Sequence, residues 1–118
     1  MLQIDFLKNL LIRCKENGIN TAIDTAGNVP YAYFEAILPY TDIFLYDIKC
    51  MDTELHKKYT GTDNALILEN LKKLSADGAR INIRIPTIVG VNATEEFMMD
   101  VVNFLKDNSI SVAQVNLL

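Results

Sequence analysis

Four charged residues stand at positions where a chain could hold a small charged ligand. Asp24 precedes Thr25-Ala26-Gly27, Asp47 and Lys49 are separated by one residue, and Arg84 lies near the end of Arg80-Ile81-Asn82-Ile83-Arg84-Ile85, just before Pro86. Two carboxylates, an ammonium and a guanidinium that converge on one mouth suit a zwitterionic ligand. Carboxylates can hold an ammonium, a ribose diol or a metal ion, and Lys and Arg can hold a carboxylate. Each residue also has a plainer reading. Asp24 before Thr-x-Gly can bond local amides in a turn. Lys49 can snorkel to solvent with Asp47 as its neutralising partner, and Arg84 can pair with a helix carboxylate. The combination on successive strands is what points to a site.

Other reactive side chains offer less. His56, the only histidine, falls on a short helix, where a solvated or locally hydrogen-bonded ring is expected. Cys14 falls on the apolar stripe of a helix and reads as a small hydrophobe. Cys50 follows Lys49, whose charge would lower its pKa, yet it has no histidine partner to make it a nucleophile. Tyr31, Tyr33, Phe34 and Tyr40 gather around one helix and read as packing. No dinucleotide fingerprint, phosphate loop or zinc-protease motif occurs.

The elements that must position these residues follow from periodicity and punctuation. Phe6, Leu7, Leu10, Leu11 and Cys14 predict a buried stripe on a helix from Ile4 to Asn17, stopped by Gly18. A strand follows from Asn20 to Asp24, then a helix from Pro30 to Leu38 with Phe34, Ile37 and Leu38 inward. The clearest strand runs from Asp42 to Lys49. Thr53 is expected to cap a short helix to Tyr59, and Asn64 a longer one, with Ile67, Leu68, Leu71 and Leu74 inward, that stops at Gly78. Pro86 ends a third strand, Arg80 to Ile85, because proline cannot donate to a ladder. Asn92 and Glu95 read as a capping box for a helix ending near Asn108, and a last strand runs from Ser111 to Leu118.

Strands separated by helices imply parallel β/α units. Leu45, Asp47 and Lys49 share one strand face, and Phe44, Tyr46 and Ile48 the other; Arg80, Asn82 and Arg84 likewise oppose Ile81, Ile83 and Ile85. A doubly wound sheet has helices on both faces and apolar strands throughout. One greasy and one charged face instead predict a partial (β/α) barrel of about four parallel strands, formed by residues 1–118 as one unit. Four strands do not close a barrel, so the chain is expected to be a piece of a longer protein, with self-association through its open sheet edges as one way to cover them.

Composition narrows the classes. The 118 residues carry a net charge of −4, which argues against a nucleic-acid binder. No apolar run approaches the roughly 20 residues that cross a bilayer, and the first residues lack the basic start of a signal peptide, so a reducing cytoplasm is the expected location for two unpaired cysteines.

Thr21-Ala22-Ile23-Asp24-Thr25-Ala26-Gly27, Asp47-Ile48-Lys49, His56-Lys57-Lys58-Tyr59-Thr60-Gly61 with Asn64, and Arg84-Ile85-Pro86 with Gly90 and Asn92 together resemble the glycyl-radical-enzyme activating family of radical S-adenosylmethionine enzymes. The resemblance covers essentially the whole chain. It implies a (β/α)6 partial barrel, a 4Fe–4S cluster and S-adenosylmethionine as cofactors, and a radical that removes hydrogen from a glycine of a partner such as pyruvate formate-lyase. A barrel lumen suits that chemistry, since a carbon radical needs an enclosure that excludes other hydrogen donors. Flavodoxin or ferredoxin is the implied reductant. It also implies that Asp24, Thr25, Asp47 and Lys49 bind S-adenosylmethionine, that Arg84 lies near the ligand or the partner's glycine loop, and that Asp24 and Asp47 with Thr25 are candidates to hold a cation.

The family's CxxxCxxC motif and its Gly-Gly-Glu segment do not occur. The chain is therefore expected to be a C-terminal portion that alone holds no cluster, binds no cofactor tightly and cleaves no S-adenosylmethionine. Two alternatives remain from the residues: an aldolase-type barrel with a Schiff base on Lys49, and a non-catalytic α/β module that binds a partner through its sheet edge.

Overall fold

The architecture follows from how apolar residues alternate along the strands. In a computed structural model describing residues 3–90 and 92–118, the elements run α1 (Ile4–Glu16), β1 (Ala22–Thr25), α2 (Tyr31–Ile37), a 3-10 turn (Leu38–Tyr40), β2 (Ile43–Asp47), α3 (Thr53–Thr60), α4 (Ala65–Ala76), β3 (Ile81–Ile85), α5 (Glu95–Asp107) and β4 (Gln114–Leu117). The strands form one parallel sheet in the order β1-β2-β3-β4. Strands added in sequence order through crossovers of one hand place their helices on one side of the sheet. Burial agrees: Ile23, Phe44, Tyr46, Ile81, Ile83 and Ile85 are buried under the helices, while the alternate residues of the same strands are half-buried or exposed. This is the partial (β/α) barrel expected from the sequence, with its would-be lumen face open.

The covered face is packed by aromatics. Phe34 of α2 meets the rings of Phe44 and Tyr46 at centroid distances of 5.8 and 6.3 Å. Leu71 and Leu74 of α4 and Val101 of α5 complete the layer. The Tyr46 hydroxyl donates to the carbonyl of Ile67, so a buried phenol keeps its hydrogen bond. Burial pushes its pKa up, which keeps it neutral.

Several local expectations are corrected. The α1 stripe is wider than what it packs against. Leu11 is buried and Leu7 half-buried, but Phe6 and Leu10 face outward at 66% and 47% exposure, and Cys14 is only half-buried. The reason is position: α1 packs chiefly on α2 and the 3-10 turn that follows it, which leaves part of its stripe uncovered. Caps also fall elsewhere. Asp52, not Thr53, caps α3 by accepting from the Leu55 N–H at 2.8 Å. Thr94, not Asn92, caps α5 by accepting from the Phe97 N–H at 3.1 Å. Asn64 occupies the N-cap position of α4, but its side chain makes no capping bond. Both asparagines are buried and bond to loop carbonyls instead.

Candidate functional site

The C-terminal tips of the strands gather the charges on the open face. Arg84 sits directly beside Asp47 in the β2–β3 register, while Asp24 pairs with Leu45 one strand further on. The guanidinium reaches across β2: its Nε lies 3.2 Å from Asp47 Oδ1 and its Nη1 3.1 Å from Asp24 Oδ2. Neighbouring strands lie about 4.8 Å apart, so only a side chain as long as arginine spans two of them. Asp47 is the sheltered member, its side chain 15% exposed against 58% for Asp24. The three charges expected to converge therefore do so on one side of the sheet, and Arg84 pairs with strand-tip carboxylates rather than with a helix.

Lys49 follows β2 on the same side as Asp47 by alternation, half-buried, and among the described residues it has no carboxylate in ion-pair range. It is the cation of the set left available for a ligand. Thr25 departs from the group. It lies on the covered face, where its Oγ1 accepts from the Gly27 N–H at 3.0 Å. The strand period of two puts it opposite Asp24, so its hydroxyl shapes the turn and does not meet the two aspartates. The Asp24/Asp47 pair considered for a cation is bridged by Arg84, and among the described residues no three His, Cys, Asp or Glu side chains gather as a metal site.

Residues not singled out in the sequence hold the rim. Asn70 of α4, fully buried, donates to the carbonyls of Gly27 at 2.8 Å and Val29 at 2.7 Å, fixing the loop behind Asp24. Gly27 is required there twice over. Its φ is +77°, and a Cβ would lie 2.0 Å from Tyr46 Oη. On the open face Asn82 carries a buried Oδ1 with no partner among the described residues, one row below Arg84. Gln114 and Asn116 continue the polar face onto β4, where Gln114 Nε2 donates to Asn116 Oδ1 at 2.6 Å. The carbonyls that Asn70 holds lie more than 40 residues earlier in the chain, which is why short-range spacing did not reveal it.

His56 is buried rather than solvated. Its Nδ1 lies 2.7 Å from the Thr62 carbonyl and 3.0 Å from Thr60 Oγ1, a local tie within the end of α3. Burial, and then Asp52, raise the pKa of Cys50, the reverse of the lowering expected from Lys49, so this thiol is not an activated nucleophile. The chain has two cysteines, Cys14 on α1 and buried Cys50 beyond β2, and a 4Fe–4S cluster needs more thiolates than these. The residues present do not fit that group. The charged tips do fit a zwitterion with a ribose, since they offer both carboxylates and cations on one open surface.

A parallel sheet in sequential strand order, covered by helices on one face and bearing its charges at the C-terminal tips of the other, defines the scaffold of a (β/α) barrel enzyme. No protein-family model matches the chain. It is 44% identical over 114 residues to trans-4-hydroxy-L-proline dehydratase activating enzyme of Clostridioides difficile, covering 95% of this chain and 38% of that protein. To (2S)-3-sulfopropanediol dehydratase activating enzyme of Klebsiella oxytoca it is 45% identical over 92 residues, covering 78% of this chain and 29% of that one. A solved domain of pyruvate-formate lyase-activating enzyme from Bacteroides vulgatus ATCC 8482 matches with a TM-score of 0.92 at 31% identity, covering 98% of this chain and 72% of that domain. The chain belongs to the glycyl-radical-enzyme activating enzymes, a family of radical S-adenosylmethionine enzymes. That membership replaces the aldolase reading of Lys49. The chain spans well under half the length of these two curated relatives.

Proposed function

We propose that the chain supplies the S-adenosylmethionine-binding rim of an enzyme that installs a glycyl radical on a partner glycyl-radical enzyme. The observation that carries this reading is the Asp24–Arg84–Asp47 bridge with Lys49 beyond it, on the open face of a sheet whose family is established. In this reading Asp47 and Asp24 take the ribose hydroxyls or the amino group of the ligand. Lys49 takes a carboxylate, and Arg84 holds both aspartates in place beside the ligand or the partner's glycine loop. Ligand binding then competes with an internal ion pair that orients the aspartates before the ligand arrives. Thr25 contributes by shaping the turn behind Asp24.

No residue of this chain is assigned to a cluster, which elsewhere in the complete protein would supply the electron for cleaving S-adenosylmethionine. The chain alone is proposed to be inactive and to bind the cofactor weakly. Flavodoxin or ferredoxin is the proposed reductant and the cytoplasm the proposed location; no helix among the described residues is long and apolar enough to cross a membrane. Self-association through the β1 and β4 edges is proposed for the chain in isolation.

The test is anaerobic. The complete reading frame that contains this chain is incubated with S-adenosylmethionine, a reductant and candidate glycyl-radical enzymes, and the partner is examined by electron paramagnetic resonance. A glycyl-radical signal that is lost with Asp47→Ala supports the reading. A full-strength signal from D47A removes Asp47 from the site.

A further inference from the structure

The tips of β2 and β3 are tied together by one side chain. Asn92, 1% exposed, lies between β3 and α5. Its Nδ2 donates to the Lys49 carbonyl at 2.8 Å and to the Pro86 carbonyl at 2.7 Å, and its Oδ1 accepts from the Ile88 N–H at 2.7 Å. Both amide hydrogens and the amide oxygen are used. Asn64 continues the pattern. Its Nδ2 donates to the carbonyls of Cys50 at 3.3 Å and Met51 at 3.0 Å, and its Oδ1 accepts from Thr53 Oγ1 at 3.0 Å. Three consecutive carbonyls, those of residues 49–51, are thus fixed by two buried amides from different parts of the chain.

These bonds begin where the sheet stops helping. The Ile48 N–H still bonds to the Arg84 carbonyl at 3.0 Å, but β2 has ended at Asp47. Beyond that point the side-chain amides replace the missing ladder. An ammonium on a flexible four-carbon stem is a poor ligand contact if its own backbone wanders, because binding must then order both stem and loop. A buried amide that grips the Lys49 carbonyl and the β3 tip at once removes the second cost.

We propose that Asn92 is a positioning residue for Lys49: it locks the β2 tip to the β3 tip so that the backbone of Lys49 is held at the charged strand ends and its ammonium is set to receive the anionic end of the ligand. The proposal rests on Lys49 being a ligand contact. Asn92 touches no ligand and acts only through the backbone of residue 49.

The experiment is a double-mutant cycle in the complete reading frame that contains this chain, with affinity for S-adenosylmethionine read by equilibrium dialysis of the labelled compound. Lys49→Met is expected to weaken binding roughly tenfold, the worth of one charge-assisted hydrogen bond. Asn92→Asp keeps the acceptor for Ile88 but removes both donors, and is expected to weaken binding about fivefold through misplacement. The double variant is expected to bind no more weakly than K49M alone, because Asn92 has nothing left to position. Amide dispersion in a nitrogen–proton correlation spectrum checks folding, and Asn92→Ser takes the place of N92D, with the same expectation, if the aspartate does not fold. Wild-type affinity in N92D or N92S overturns the proposal, as does a double variant in which the two losses multiply. Wild-type affinity in K49M overturns the ligand role of Lys49 and the positioning role with it.

Discussion

The two faces of this sheet are made by the same strands and obey different rules. On the covered face Phe44, Tyr46, Ile81, Ile83 and Ile85 are all but inaccessible, and a tyrosine hydroxyl is tolerated because the Ile67 carbonyl receives it. On the open face Asp24, Asp47 and Arg84 are partly or fully exposed and joined by ion pairs, beside an Asn82 whose Oδ1 has no partner among the described residues. Stability is concentrated in the first face, and the proposed function places recognition in the second. Substitutions should separate accordingly: those on the covered face change the folding equilibrium, and those on the open face change ligand affinity while leaving folding nearly intact.

The largest effect is expected where the faces meet the loop behind Asp24. Gly27→Ala adds a Cβ 2.0 Å from Tyr46 Oη at a φ of +77°, a clash with a buried ring added to a strained backbone. It should cost about 4 kcal/mol or more and leave little folded protein, as read by urea denaturation. Next, Phe34→Ala removes the ring that joins Phe44 to Tyr46. A loss of about 3–5 kcal/mol is expected, with the denaturant slope unchanged. A shift under 1 kcal/mol would show that the covered face is less tightly packed than its burial implies.

On the open face, Arg84→Met should change stability by less than about 1 kcal/mol, because its partners are partly solvated. The same substitution should weaken binding of S-adenosylmethionine roughly tenfold, since two aspartates lose the group that orients them. If stability fell as far as in F34A, the two faces would not differ in kind. The smallest effect concerns the edge helix. Phe6→Ser, at 66% exposure, should move stability by no more than about 0.5 kcal/mol. A chemical check runs beside these. Because burial and Asp52 raise the Cys50 thiol, its alkylation by iodoacetamide should stay slow at neutral pH and accelerate only as pH climbs above the ordinary thiol range.

What was legible in the sequence was whatever depends on short periods. The alternation in residues 43–49 and 80–85 assigned both faces correctly, and with it the meeting of Asp24, Asp47 and Arg84. The same alternation separates Thr25 from Asp24, although the Asp-Thr-x-Gly motif groups them. What was not legible depends on partners far along the chain. Asn64 and Asn92 have the residue type and spacing of helix caps, but carbonyls of residues 49–51 and 86 compete for their amides and win. Asn70 carried no local signal, because the backbone it holds lies more than 40 residues earlier. Phe6 and Leu10 looked inward because periodicity reports that a stripe exists and not how wide its neighbour is.

In the proposed function the open-face charges form the binding surface for S-adenosylmethionine. The most direct measurement is a nitrogen–proton correlation titration of the uniformly labelled chain with that compound. Shifts confined to residues around 24–27, 47–50 and 84–87 are expected, with α2 and α4 unmoved. Shifts that map to the helices, or none at those strand tips at saturating ligand, would contradict it.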